Sequence, residues 1–527
     1  WVQKMCVKTF DGGSDEGFFP SQKCEEMTLN KWNTEPSRFC QCFGCRVAPS
    51  KLQMASDHEK LLQELRSRSK APPAAAEKSV PPELISFSRH LDMLLPLFMA
   101  AWRCKLVRDA TVIFLGMAIL LSGSFWLRPL RITAGVALLA LGLRGLPGGI
   151  PFLEVKTEAG FYGAHHGLQA KRNHRMQKAF EVWLKTFVPC PWQMSGELCT
   201  ILPYLINCKR CSNLSYERCW MEADDGEPFA FDWVFPDTGF DPDAPVVVLL
   251  TGLAPSQHWT AAAGFIADAA WHLSNRAKMT VVILIARGTM DTQVNKNLFH
   301  GARVTDLRQT LECMHSCLET ATGRTPKIFA AGYSMGGIIL ANYCGQYSQN
   351  PLLKGAIHFS GLHDAAFNMN FKYSEDTWQA YLAYNLKWSI VSAAPVEEAR
   401  KRGVDVERIM SGKVASIVDI DKDFVSVFNG YDDVMDYYRD LSLASDDKWR
   451  NVSIPLLAVA ARDDPITHCD ALRAKEFSKE NQNLLFLVTD RGGHVGWPWG
   501  WFPWTRGWDF MNEAIEVFIN AVNTDEP

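Results

Sequence analysis

The length of 527 residues allows one large α/β domain plus an extra region rather than several equal domains, and 47% hydrophobic with 21% charged residues suits a globular protein that also has a membrane segment. A formal net charge of -4 gives no whole-chain reason to expect nucleic acid as a partner. The 15 cysteines are spread without a compact framework, which points to reduced thiols rather than a disulfide scaffold.

Residues 1–85 carry few helical or strand signals and end in the linker-like stretches Ala71-Pro72-Pro73-Ala74-Ala75-Ala76 and Val80-Pro81-Pro82. Cys24, Cys40, Cys42 and Cys45 lie within this region, but no partner cluster of C-x-x-C type accompanies them within residues 1–85. Acylation near a membrane or plain thiols therefore compete with zinc, and no metal is expected. Residues 86–150 read as a membrane-anchor region. Ala110 to Leu127 is a run of 18 residues without a charge, and at about 1.5 Å per residue it spans about 27 Å, close to a hydrocarbon core. Arg103, Lys105 and Arg108 flank it on one side, Arg128 and Arg131 on the other, so basic residues do not fix its direction. The second apolar run, Ile132 to Leu143, is only 12 residues long. A single pass, a re-entrant hairpin turning at Arg128-Pro129-Leu130-Arg131, and a buried helix of the soluble domain are the competing readings. The first two imply a membrane-associated protein.

Residues 151–527 alternate short apolar strands with helical stretches, the pattern of a mostly parallel sheet covered on both faces. Pro245-Val246-Val247-Val248-Leu249-Leu250 is a β-branched run that ends in Thr251-Gly252-Leu253-Ala254-Pro255-Ser256. Val281 to Ile285 is another strand, and Asp306 to Leu318 has apolar residues at helical spacing. Next, Lys327 to Ala331 leads as a strand into Gly332-Tyr333-Ser334-Met335-Gly336, and a helix-compatible stretch follows. Strand, G-x-S-x-G and helix together describe a sharp turn that presents a serine hydroxyl clear of the backbone. A serine is a weak nucleophile until a neighbouring base takes its proton.

The partners of such a serine follow in the order acid, then histidine. Pro455 to Ala461 is a buried strand ending in Arg462-Asp463-Asp464-Pro465-Ile466, at the strand end where parallel sheets place their ligands. Asp464 is the leading acid and Asp463 the runner-up. Leu484 to Val488 is a further strand, followed by Thr489-Asp490-Arg491-Gly492-Gly493-His494. Among the 13 histidines, His494 has a strand before it, glycines around it and the right place in the order. His315 in a helix and His358 in a strand read as structural, and His468 follows the acid too closely. The glycines are expected to leave His494 free to swing toward the serine. The backbone N–H groups of Leu253 and Met335 are the candidate donors to a developing oxyanion. Between His358 and Pro455 lies an insertion, about 362–450, placed to cover the serine. Its Trp378, Tyr381, Tyr384 and Trp388 belong either to an acyl pocket or to its own core. The segment Trp497-Pro498-Trp499-Gly500-Trp501-Phe502-Pro503-Trp504 suits a membrane interface or packing beside the histidine loop.

These residues resemble the α/β-hydrolase fold and, more narrowly, the YheT-type esterase/lipase family, family 4 of the AB-hydrolase grouping. The resemblance runs from about Phe180 to the end. It is carried by Pro189-Cys190-Pro191-Trp192, Asp224-Asp225-Gly226, Phe231-Asp232-Trp233, Arg287-Gly288, Asp306-Leu307-Arg308, the serine turn, Asn429-Gly430-Tyr431 and Asp436-Tyr437-Tyr438-Arg439. One departure is Ala254-Pro255, where the family usually has further glycines, which implies a stiffer oxyanion loop. The resemblance implies hydrolysis of acyl esters of lipids, such as monoacylglycerols, phospholipids and medium-chain esters, and an N-terminal membrane anchor. The expected protein is a membrane-associated serine hydrolase acting on lipid esters, with no cofactor. An acyltransferase using the same triad, and a non-catalytic scaffold of the same fold, are the alternatives.

Overall fold

The strands are β1 (Ala159–Tyr162), β2 (Glu217–Glu222), β3 (Pro228–Val234), β4 (Val246–Leu250), β5 (Thr280–Ile285), β6 (Ile328–Tyr333), β7 (Gly355–Phe359), β8 (Leu456–Ala461) and β9 (Leu484–Thr489). In the computed structural model, which describes residues 159–524 other than 191–194, 207–213, 254–263, 290–291, 293, 390, 392–393, 411–413, 415 and 501, they form one sheet of nine strands. Its order is β1-β9-β8-β7-β6-β4-β5-β3-β2. The expected regions 1–85 and 86–150, with their cysteines and the Ala110–Leu127 run, lie outside the described residues, as does Ala254-Pro255. Neighbouring strands from β5 through β9 pair in parallel. The antiparallel β1 closes one edge against β9, and β3 and β2 close the other.

The central strands are buried along their whole length because helices cover both faces. Alternation sorts their side chains into two cores. Val247, Phe329, Ile357, Leu457 and Leu485 face α1 (Ala170–Leu184), α3 (Gly264–Trp271) and the C-terminal α10 (Asp509–Asn523). Val248, Ala330, Ala356, Ala458 and Phe486 face α4 (Thr305–Thr322), α5 (Met335–Gln346) and α9 (Ala474–Glu480). A one-residue slip in any of these strands exchanges the two sets, so the register is fixed by both cores at once. The chain is an α/β-hydrolase fold. The helix α2 (Gly196–Ile206) lies outside this layering and covers the β8 and β9 loops.

Between β7 and β8 the insertion folds into short helices, among them α6 (Lys372–Thr377), α7 (Gln379–Ser389) and α8 (Val434–Leu441). It builds a third core from Leu386, Ile409, Ile420, Phe424, Phe428 and Leu441. Leu253, Met335 and Ile338, which surround the serine turn, pack against that core. Of the four aromatics singled out in the insertion, Trp378 is buried with its ring 6.1 Å from that of Tyr381, Tyr384 is half exposed, and the Trp388 side chain lies outside the described residues. Among the described residues no helix is long and apolar enough to cross a membrane.

Candidate active site

Ser334 sits between β6 and α5 at φ 52° and ψ -118°, a left-handed conformation that costs a non-glycine residue of order 1–3 kcal/mol. Three features hold it there. Its N–H donates to Phe359 O at 2.8 Å, tying it to β7. A Cβ on Gly332 would lie 2.5 Å from Gly336 O, and one on Gly336 would lie 2.4 Å from Leu250 O. Both glycines are therefore required by the close crossing of strand, helix and the β4 end, as the motif anticipates.

The structure brings the three sequence-chosen side chains together. Ser334 Oγ is 2.8 Å from His494 Nε2, and His494 Nδ1 is 2.8 Å from Asp464 Oδ2 and 3.1 Å from Oδ1. Asp464 and His494 are both buried. Asp464 Oδ1 also accepts the N–H groups of Ile466 (2.8 Å) and Thr467 (2.9 Å), while Oδ2 accepts the Thr467 hydroxyl at 2.9 Å. A carboxylate so held orients the imidazole with Nδ1–H toward it and leaves Nε2 to accept the serine proton.

The runner-up acid has a different environment. Asp463 Oδ1 accepts the Gly493 N–H at 2.9 Å, whereas its Oδ2 is buried without a hydrogen-bond partner. Burial pushes its carboxyl up to about 6; the Gly493 N–H pulls it back, and the Asp464 charge beside it pushes it further up. Asp463 thus supports the histidine loop from behind, and Asp464 faces the ring.

The expectation that glycines let His494 swing is not met. The loop is clamped: a Cβ on Gly493 would lie 2.5 Å from Gly196 O, and one on Gly496 would lie 2.1 Å from Cys199 O. Its glycines serve close approach to α2. The Thr200 hydroxyl accepts the His494 N–H at 2.8 Å and Ser360 Oγ accepts that of Val495 at 3.0 Å. Trp497, wholly buried, donates Nε1–H to Thr489 Oγ1 at 2.9 Å. Val495 and Trp497 both have positive φ, so this loop, like the serine turn, is held in strain by its neighbours.

The two candidate oxyanion residues flank the nucleophile. Met335 opens α5, where a first-turn N–H has no acceptor within its helix. Gly252 lies against the serine, since a Cβ there would sit 3.2 Å from Ser334 Cβ and 3.8 Å from Oγ; Leu253 follows it. The other histidines are placed elsewhere. His315 is near Glu319 on α4 at 3.7 Å. His358 is fully buried with Nε2 3.0 Å from His363 Nε2. His468 packs its ring 5.0 Å from that of Phe371. Among the described residues, the side chains of His468, Cys469 and Asp470 come within 4.8 Å of one another, but serine chemistry asks for no metal there.

A charged network supports the nearby loop from below. Arg287, almost fully buried, donates Nε–H to Asp306 at 2.7 Å and Nη1–H to Asp225 at 2.7 Å, and Arg303 reaches Asp225 at 3.0 Å. Glu227 accepts the N–H groups of Asn295, Lys296 and Asn297. The loop they shape brings Gly301 against the serine turn, where a Cβ would lie 2.7 Å from Met335 Sδ. The Gly301 N–H donates to Tyr437 of α8 at 3.1 Å. The insertion is also tied to α2, because the Tyr373 hydroxyl donates to Glu197. Thr200, Ser360 and Asp463 as a support were not anticipated from the sequence.

No protein-family model matches the chain. It is similar to the human phospholipase ABHD3, 27% identical over 356 residues that make up 66% of this chain and 81% of that protein. The monoacylglycerol lipase ABHD2 of Danio rerio is 26% identical over 37% of this chain and 48% of its own length. The medium-chain fatty acid ethyl ester synthase/esterase 2 of Saccharomyces cerevisiae is 25% identical over 48% and 58%. With its sheet order, strained serine turn and these relatives, the chain is an α/β-hydrolase-fold protein with the machinery of a serine carboxylic ester hydrolase, related to the ABHD3 and ABHD2 lipid hydrolases.

Proposed function

We propose that the protein is a membrane-associated serine hydrolase that cleaves carboxylic esters of lipids, of acylglycerol or phospholipid type, through an acyl-enzyme. The observation that carries the reading is the aligned series Ser334 Oγ, His494, Asp464, with 2.8 Å at each of its two junctions. His494 takes the proton as Ser334 attacks the ester carbonyl, and Asp464 stabilises the imidazolium. The N–H groups of Leu253 and Met335 receive the oxyanion. His494 then gives its proton to the departing alcohol, and water repeats the sequence on the acyl-enzyme. The lipid character of the substrate is supported by the names of the relatives and by an insertion whose apolar core meets the serine turn. Membrane association is supported by the uncharged run Ala110–Leu127.

Labelling by a fluorophosphonate probe and turnover of a lipid-ester panel by the purified chain test the reading. Ser334→Ala is expected to lose both; ester turnover retained by that variant refutes it. A second reading, acyl transfer to an alcohol, is favoured by the yeast relative described as both synthase and esterase. Product analysis with a competing alcohol separates the two, because a transferase yields the new ester in preference to free acid.

A further inference from the structure

Several large apolar side chains that the fold leaves exposed stand around α2, the helix that covers His494. Phe502 and Trp504 are 62% and 50% exposed, with ring centroids 5.4 Å apart. Val188, 51% exposed, is beside them, since its carbonyl accepts the Gly500 N–H at 2.6 Å. The base of this aromatic tip is fixed. Trp499 is buried against Phe187, with ring centroids 5.4 Å apart, and beneath the Arg506 guanidinium at 5.0 Å. Cys190 N–H donates to Pro498 O at 3.0 Å, and Trp497 stacks on Phe510 at 5.2 Å. The tip is therefore presented by a rigid platform.

Its position relates it to the site. The turn Pro503–Thr505 packs on α2, whose Thr200 holds His494, and on the insertion's side Glu197 of the same helix holds Tyr373. Phe367 and Tyr373 are themselves partly exposed. The chain also enters the fold at this end. β1 runs antiparallel to β9 with Ala159 opposite Thr489, the last residue before the histidine loop, so whatever precedes residue 159 joins the domain beside that loop. The uncharged Ala110–Leu127 run lies in that preceding part of the sequence.

We propose that Val188, Phe502 and Trp504 dock on a lipid bilayer and hold the histidine-loop end of the domain against the surface that holds the ester. The proposal rests on the lipid-ester reading above. Scale decides between occupants. A stable protein interface takes about 20–30 residues a side, and this tip offers three side chains on a rigid base. Partitioning into a bilayer needs no such area, because each apolar side chain contributes separately. Tryptophan suits the headgroup region, and Arg506, over Trp499 and 3.8 Å from Asp509, braces the base of the tip.

The test uses the full chain reconstituted with phosphatidylcholine vesicles that contain a monoacylglycerol, compared with a water-soluble short-chain ester. The variant Phe502→Ser/Trp504→Ser is expected to lose tenfold or more in turnover of the vesicle-borne ester and to stay within about twofold of wild type on the soluble one. Phe502→Leu/Trp504→Phe is expected to restore the vesicle activity. Unchanged turnover on both esters overturns the proposal, and means that the N-terminal region of the chain or a second copy covers this tip. Equal loss on both also overturns it, and assigns the aromatics to the integrity of the histidine loop. If Ser334→Ala still turns over the soluble ester, it is the hydrolase reading that fails, independently of docking.

Discussion

Replacing Asp464 by asparagine is the perturbation whose outcome the geometry defines most closely. Oδ1 of Asp464 accepts two backbone N–H groups, from Ile466 and Thr467, and those donors do not rearrange without breaking the turn. An asparagine at this position must therefore keep its oxygen where Oδ1 is and put its NH₂ where Oδ2 is, 2.8 Å from His494 Nδ1. The Thr467 hydroxyl, 2.9 Å from that atom, can turn to accept, so the amide fits. His494 Nδ1 then has to accept, which moves the ring proton to Nε2 and points it at Ser334. A base already protonated on its reacting nitrogen cannot take the serine proton. In a related constellation the wrong tautomer costs about 10⁴-fold, or about 5.5 kcal/mol of barrier. Asp463→Asn keeps an oxygen for the Gly493 N–H and leaves the His494 tautomer alone, so about tenfold is the most it should cost. The assay is the second-order rate of fluorophosphonate labelling together with ester turnover for the two variants. An Asp464→Asn enzyme within tenfold of wild type, or an Asp463→Asn enzyme the weaker of the two, refutes the tautomer argument and the assignment of the acid.

Arg287→Met leaves the Asp225 and Asp306 carboxylates without their buried partner, and a loss of about 3–5 kcal/mol in urea denaturation is expected; less than about 1 kcal/mol would show that the network is dispensable. Burial alone would lower the imidazole of His272, but the Glu516 carboxylate, which accepts from Nε2, and the Asp509 carboxylate 3.7 Å from Nδ1 overturn that and hold it at about 9, above its ordinary 6.5. A base raised on folding contributes stability that is complete below about 6.5 and is lost as pH rises through about 9, at most of order 3 kcal/mol. Denaturation midpoints measured from pH 6 to 10 should fall in that window for wild type and lose this part of the slope in His272→Gln, and parallel curves would refute the linkage. Deleting residues 1–150 is expected to release the chain from membranes and to leave turnover of a soluble short-chain ester, and pelleting with membranes after a carbonate wash would show that the principal anchor is elsewhere.

The relay was legible in the sequence because each member is marked locally. Ser334 is framed by glycines between a strand and a helix, Asp464 stands three residues beyond β8, and His494 follows β9 in a loop. Parallel strands bring their C-terminal ends to one edge, so the three marks imply one place. What supports the relay was not legible, since the supports come from far along the chain. Thr200 reaches His494 across 294 positions and Ser360 reaches Val495 across 135. Nothing near a lone threonine announces such a partner. The glycines around His494 were misread for a related reason: a glycine serves freedom or close approach, and only the helix lying on it distinguishes the two. The aromatic segment divides in the same way, with Trp497 and Trp499 buried and Phe502 and Trp504 half exposed or more. Composition gave these residues one character, and their neighbours gave them two.

The adjacent aspartates show how the fold separates two identical side chains. The two carboxylates are buried side by side and have unequal surroundings. Asp464 collects donors from Ile466, Thr467 and His494 on both of its oxygens. Asp463 has Gly493 on one oxygen and no hydrogen-bond partner on the other, and burial raises its carboxyl to about 6. The carboxylate that faces the imidazole is thus the one held by donors on both oxygens, where it steadies the cation formed as Ser334 is deprotonated. The same difference links chemistry to architecture. The Gly493 N–H reaches Asp463, and the Asp463 carbonyl lies so close to Gly196 that a Cβ there would be 1.6 Å from it. A side chain at Gly196 would displace α2, and with it Thr200, the hydroxyl that fixes the His494 backbone. The relay depends in this way on a helix that contributes no reacting atom, whose close approach to the Asp463 backbone requires a glycine at 196.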